Sequence, residues 1–423
     1  MSGAAPPATP ALARQRLTET DIPAAVVEVC ACLARAGHAA VLVGGAVRDA
    51  LLGRVVSDWD VATSATPTEV MALFRRTIPT GVQHGTVTAL VGERGTTEEP
   101  VEITTFRGEG EYLDGRRPSS VEFLRSLHDD LARRDLTINA IAWDPVGAVL
   151  TDPFGGLADL HRGIIVAVGD PTQRFTEDGL RTMRAVRFCA TLAMALDPAT
   201  AAAIPAALDV LAKVSRERVY VELTKMLKAP RPSLGLVPMA ETGIWPYVLP
   251  PLAAEVREAA VRAADALPCD PVLRLACLLR PAALLPDGEK TVGAAVVALK
   301  TSKLERARLA VLTGPAMVAL EQATSGPEIR RAVSRLSRAN LDDALAVLAS
   351  DTARRDAVHD AVDHAPLSIK ELAVRGGDLI ALGLATPGPA LGDTMDALLA
   401  WAMEDPARNV HASLVARARE TMP

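Results

Sequence analysis

Aromatic residues make up only 3% of the 423 residues. That scarcity argues against a large β-sandwich and for helices packed through alanine and other small side chains. Cysteine is sparse as well: Cys30, Cys32, Cys189, Cys269 and Cys277 are scattered, without the paired spacing of a zinc site. They read as reduced core residues of a cytoplasmic protein. No apolar run is long enough to span a membrane. Residues 1–20 are rich in Ala and Pro, and their arginines follow the small residues without the apolar core of a signal peptide, so they are expected to form a disordered tail. Positive charge is not in excess either, since 45 Lys and Arg stand against 51 Asp and Glu, a net charge of −6. Any polyanion must then be met by a local arginine patch. What the chain does have is length for roughly two to four domains, and a 49% hydrophobic content that supports sizeable cores.

The stretch Val41-Leu-Val-Gly-Gly-Ala-Val-Arg-Asp49 reads as a strand, a tight turn and a helix start. Gly44 and Gly45 leave backbone N–H groups free to face an anion, with Arg48 beside them, which makes a phosphate seat. Close behind, Asp58 and Asp60 flank Trp59; on a strand that spacing sends both carboxylates to one face and the indole to the other. Two like charges side by side call for a cation, and hard oxygen ligands suit Mg²⁺. A phosphate seat next to metal carboxylates points to phosphoryl or nucleotidyl transfer.

A helix is expected from Asp21-Ile-Pro23 to about Ala36, ended by Gly37 before the strand at Val41. Thr66-Pro-Thr-Glu69 is a capping box that starts another helix. Gly85–Val91 and Val101–Phe106 alternate as strands do. Glu102, between Val101 and Ile103, is placed to bring a third carboxylate to the face of Asp58 and Asp60. Gly108–Ser119 has no periodic pattern and reads as a mobile loop. After the apolar strand Ile164–Val168, Asp170-Pro-Thr-Gln173 reads as a second capping box, and helical patterns run to the end with no further convincing strand.

In Glu177–Arg187, arginines at 181, 184 and 187 follow Asp178 at strict steps of three. On a continuous helix each step falls about 60° short of a full turn, so Asp178 and Arg181 are neighbours while Arg187 lies on the far side. Asp178 and Arg181 together present an acceptor and donors to a base edge, and Arg184 and Arg187 are suited to phosphates or structural carboxylates.

In Leu42–Asp49 with Asp58 and Asp60, Val101–Arg107, Asp114–Pro118, Arg133-Arg-Asp-Leu-Thr-Ile-Asn-Ala140, Asp152–Gly156, Glu177–Phe188 and Glu217–Leu223, the chain resembles class II tRNA nucleotidyltransferases, the CCA-adding enzymes, with bacterial poly(A) polymerases as close relatives. The motifs lie in family order over about half the chain. The resemblance implies an α/β head of nucleotidyltransferase fold, a mixed sheet with helices, followed by an all-α neck, body and tail. The expected boundaries are head 21–163, neck 164–228 for nucleotide selection, body 229–345 and tail 346–423 for tRNA binding. It further implies catalysis at Asp58, Asp60 and Glu102, with Mg²⁺ on the two aspartates. Gly44, Gly45 and Arg48 would bind triphosphate, Arg134 and Asp135 the ribose. Asp178 and Arg181 would serve as a protein template, with Arg184 and Arg187 supporting the pocket.

The expected partners are the tRNA 3′ end, CTP and ATP, with no membrane and no obligate protein partner. The loop Phe106–Pro118 would let the pocket switch from C to A. Leu275–Pro281 looks like the motif helix of a His-Asp phosphohydrolase domain with Arg280-Pro281 in place of the ligands, so no second active site is expected. The alternatives are addition of the terminal A alone, a poly(A) polymerase and a nonenzymatic RNA-binding protein.

Overall fold

The computed structural model describes residues 6–92, 98–107, 126–348 and 352–421. Its chain divides into two compact units, residues 1–226 with 234–247, and residues 227–233 with 248–423. The loop expected at Gly108–Ser119 lies outside the described residues.

The first unit opens with α1 (Pro10–Glu19) and α2 (Ala24–Arg35), followed by β1 (Ala40–Val43), α3 (Gly45–Leu51), β2 (Val61–Thr63), α4 (Pro67–Leu73), β3 (Thr77–Gly81), β4 (Thr86–Val91) and β5 (Glu99–Thr105). Then come α5 (Leu127–Ala132), β6 (Ala142–Asp144), β7 (Val149–Thr151), α6 (Gly156–Arg162) and β8 (Ile164–Ile165). Beyond these lie α7 (Pro171–Glu177), α8 (Leu180–Leu192), β9 (Ala195–Leu196), α9 (Pro198–Ala203), α10 (Leu208–Lys213) and α11 (Arg216–Leu227). Seven strands form one sheet in the order β3-β4-β5-β2-β1-β6-β7, and β2 beside β5 is its parallel pair. Every residue of β1 is apolar and buried, as a central strand covered on both faces requires. One face packs Val41, Val43 and Ala62 against Phe106, Leu131 and Val168. The sheet with its helices is the expected α/β head, and helices dominate the chain beyond it.

Several local expectations are met. Thr66 and Glu69 form the reciprocal capping box of α4, α2 ends at Ala36 before Gly37 in a left-handed conformation, and β4 pairs with β5 in antiparallel register. Of the second capping box expected, the N-cap half is present: Asp170 caps α7 by accepting from the Gln173 amide at 2.8 Å.

Other expectations need correction. Residues 10–19 are helical rather than disordered: Thr9 caps α1, Ala13 and Leu17 are fully buried, and Arg16 donates to the Leu51 carbonyl at 2.7 Å. The strand expected at Ile164–Val168 shrinks to Ile164–Ile165, and it pairs in parallel with β9, a strand too short to leave a periodic signal. The cysteines are free, but Cys269 is exposed and Cys32 half-buried. Burial does push the Cys30 and Cys189 thiols up to about 12, which makes them unreactive.

The second unit is helical among its described residues. The helix Pro271–Ala283 carries Arg280, which donates to Glu321 at 2.8 Å and to the Val347 carbonyl at 2.7 Å. A buried Arg274 on the same helix donates to the Leu227 carbonyl at 2.6 Å and the Leu267 carbonyl at 2.9 Å. Arg308 bridges Asp270 and Asp343. Leu379, Leu398, Ala402, Leu414 and Ala418 centre the core nearest the C-terminal end. No helix of the described residues is long and apolar enough to cross a membrane.

Candidate active site

The turn after β1 places Gly44 at φ 74° and ψ −133°, a backbone conformation that side chains resist. Space is short there too, because a Cβ on Gly44 would sit 3.0 Å from Arg134 Nη1. The glycine thus lets a guanidinium close over the start of α3. One turn on, Arg48 is buried and holds Asp49 through Nε at 3.0 Å and Nη2 at 2.9 Å, with Nη1 donating to Asn139 at 2.5 Å.

Asp58 and Asp60 precede β2, with the Asp60 carbonyl already accepting from the Val43 amide at 3.2 Å, and their exposure alternates as expected: Asp58 and Asp60 are open and Trp59 is buried. The parallel register Val61–Ile103 sets Asp60 beside Glu102. The Asp60 carboxyl is raised above its ordinary range by desolvation, then by Asp58 and Glu102, with Arg134 opposing. Because the Asp60 side chain is open to solvent, the two neighbouring carboxylates are the weightier cause. This concentration of negative charge fits a divalent cation. Among the described residues no three His, Cys, Asp or Glu side chains converge closely enough to cage one.

Gly44, Gly45, Arg48, Asp60, Arg134, Asp135, Asp178, Arg181, Arg184 and Arg187 all line one cavity of about 520 Å³. Asp58 and Glu102 stand next to Asp60 rather than on the wall. Seven arginines against three aspartates line that cavity, a local excess of four positive charges in a chain of net charge −6. The sum over the sequence hides it.

The expected winding of Arg187 to the far side does not keep it out of the cavity. Asp178 lies between α7 and α8 in extended backbone, so the run is not one helix, and the long arginines of α8 reach the same cavity as Asp178. Gly179 makes that junction possible: a Cβ there would stand 2.3 Å from the Leu211 backbone nitrogen. Arg181 is buried, with Nη1 donating to Glu177 at 2.5 Å and to the Arg174 carbonyl at 3.0 Å, and Nη2 to the Arg133 carbonyl at 2.9 Å. A guanidinium has five N–H groups, so these bonds fix its plane and leave two donors.

Asp135 accepts from Arg184 Nε at 2.7 Å, Asn139 at 3.0 Å and the Leu136 amide at 2.9 Å. Burial would raise its pKa, but Arg184 and Asn139 outweigh burial and hold it well below the usual carboxylate range. Arg187 pairs with Glu222 of α11 at 2.8 Å. The guanidinium carbons of Arg187, Arg48 and Arg184 lie 3.5, 4.9 and 5.6 Å from the centre of the Phe188 ring, whose negative face offsets their mutual repulsion.

The sequence reading missed Arg133, Asn139, Phe188 and Arg218 as lining residues. Arg218 had a signal, since it sits in Glu217–Leu223 four residues before Glu222, the partner of Arg187. Asn139 likewise sits in the run Arg133–Ala140, but nothing in that run marks its contact with Arg48.

A mixed sheet, a glycine turn, a carboxylate pair and an arginine-lined cavity together define the class of nucleotidyltransferases. Residues 40–166 match the family described as the poly A polymerase head domain, and residues 193–256 the one described as a probable RNA and SrmB-binding site of polymerase A. A CCA-adding enzyme of Lactiplantibacillus plantarum is 38% identical over 389 residues, 90% of this chain and 92% of its own. The chain belongs to the CCA-adding enzyme family, whose chemistry implies a divalent metal.

With the CCA-adding enzyme of Anoxybacillus flavithermus the identity is 49% over 232 residues, 55% of this chain and 57% of the relative, so the aligned stretch spans little more than half of that protein. The crystal structure of the Bacillus stearothermophilus CCA-adding enzyme in complex with CTP superposes with a TM-score of 0.65 at 34% identity, covering 94% of this chain and 96% of that one. The Thermotoga maritima CCA-adding enzyme complexed with tRNA shares the fold, with a TM-score of 0.70 at 20% identity over 97% of this chain and 98% of that one.

Proposed function

We propose that this chain adds C, C and A in turn to the 3′ end of tRNA, taking CTP and ATP and using no nucleic-acid template. The observation that carries this reading is the single cavity that gathers the glycine turn, Asp60, and the Asp178 and Arg181 pair. Asp58 and Asp60 would hold two Mg²⁺ ions, which when bound help the 3′-hydroxyl attack the α-phosphate and steady the leaving pyrophosphate. Glu102 keeps the potential at that wall negative. Arg48 and the backbone of Gly44 and Gly45 receive the triphosphate, with Arg48 held in place by Asp49 and Asn139. Arg134 and Asp135 serve the ribose, Arg184 and Arg187 the nucleotide's surroundings.

Cytosine and adenine both offer an amino donor beside a ring-nitrogen acceptor, whereas uracil and guanine offer a carbonyl beside an N–H. Asp178 accepts from the amino group and Arg181 donates to the ring nitrogen, so both correct bases fit one pair of side chains and both wrong bases leave polar groups unpaired. The neck, residues 164–228, contributes this pair, and the body and tail hold the tRNA. A cytoplasmic location follows from that substrate and from the unpaired cysteines. The net charge of −6 disfavours a poly(A) polymerase, which needs loose attraction to many RNAs.

One cavity for both nucleotides makes a direct demand on binding. Titration of the chain with CTP, then ATP, should show one nucleotide per chain and full mutual displacement; independent binding of both contradicts the shared pocket. Removal of CTP from the reaction should block all extension of a tRNA that lacks CC, and extension by A alone on a tRNA already ending in CC would then assign the narrower activity.

A further inference from the structure

The roles given above leave two charged side chains of the cavity unused: Arg133, which pairs with Asp130 of its own helix turn, and Arg218 on α11. Its Nη2 donates to Asp178 Oδ2 at 2.9 Å, and Asp178 Oδ1 accepts from the Leu180 amide at 3.0 Å. Each carboxylate oxygen therefore has its own donor, one from the first turn of α8 and one from another helix. Asp178 itself sits at the junction of two helices with φ −143° and ψ 106°. With the Leu180 tether alone, the carboxylate is free to turn about that single bond. The bond to Arg218 removes this freedom.

We propose that Arg218 is a specificity-determining positioning residue, which fixes the direction in which Asp178 accepts from the amino group of cytosine or adenine. This rests on the base-reading role of Asp178 proposed above. Oδ2 has two lone pairs, so it can accept from Arg218 and from an amino group together. A carbonyl oxygen of uracil or guanine at the same place meets acceptor with acceptor, and Asp178 cannot swing away while Arg218 holds it. Discrimination of this kind depends on the stiffness of the wrong contact as much as on the quality of the right one.

The test compares kcat/KM for CTP and UTP on a tRNA lacking CCA, in the parent, Arg218→Gln, Arg218→Met, Arg218→Lys and Asp178→Ala chains, with thermal midpoints recorded alongside. The Gln and Met variants should lose roughly tenfold of the CTP preference. Arg218→Lys, which keeps a charged donor for one bond, should recover most of it, a rescue that a purely structural role does not predict. Parental preference in Gln and Met beside a lost preference in Asp178→Ala overturns the role of Arg218 and leaves base reading intact. Parental preference in Asp178→Ala overturns both. A higher KM or lower thermal midpoint at unchanged preference also overturns it, since Arg218 would then act as a general charge or a packing group.

Discussion

Asp60 stands beside Asp58 and Glu102, whereas Asp178 is tied to Arg218 and to the Leu180 amide. One carboxylate is thus crowded by like charge and the other neutralised, and the proposed reaction uses that difference: a metal relieves the first, and a base amino group completes the second. Asp58→Ala and Asp60→Ala should each lower addition of both nucleotides by more than about 100-fold while tRNA affinity stays near the parent value. Single-turnover assays with a parallel tRNA-binding titration check this, and near-parental turnover in either variant removes the metal assignment. Gly179 bears on the same cavity through space alone. Gly179→Ala would drive a methyl group into the Leu211 backbone. It should cost about 1–3 kcal/mol of stability, read from denaturant midpoints, and should raise the KM for CTP and ATP together. A variant with parental stability would show that the α8 and α10 backbones move apart freely.

Elements differ in how plainly the sequence announces them. The capping box Thr66/Glu69 and the alternation of β4 and β5 are local signals that the fold keeps. The α1 helix escapes such reading because its buried face consists of little more than Ala13 and Leu17, and its purpose is tertiary: it packs on α3 and caps Leu51 through Arg16. Leu17→Ala should therefore destabilise the first unit by roughly 2–5 kcal/mol, seen as a lower midpoint in chemical denaturation. A change below about 0.5 kcal/mol would mean that α1 is an ornament. The Glu177–Arg187 run failed as a helical-wheel argument for a different reason. Its spacing is real, but Asp178 and Gly179 interrupt the helix, and a wheel drawn across a break assigns faces that do not exist. The glycine turn and the Asp58/Asp60 alternation were legible because the chemistry depends on residues adjacent in the chain. The roles of Asn139, Phe188 and Arg218 were not, although each lies in a quoted motif, because those roles arise from contacts with residues distant in the chain: Asn139 with Arg48 by hydrogen bond, Phe188 with Arg48 by cation–π contact, and Arg218 with Asp178 by ion pair.

At the scale of the whole molecule, charge is partitioned: the chain is acidic, yet its cavity gathers seven arginines. Such a protein has little long-range attraction for RNA in general and a strong local one for a triphosphate that has already arrived. The second unit, helical among its described residues, is tied together by Arg274, Arg308 and Arg330 through backbone carbonyls and paired aspartates. The most direct test is one incubation of the purified chain with a tRNA ending at its discriminator base, CTP, ATP and Mg²⁺, with product 3′ ends read at single-nucleotide resolution. The predicted products gain C, C and A and then stop. A tRNA left unextended, or one carrying a long run of A, would contradict the account.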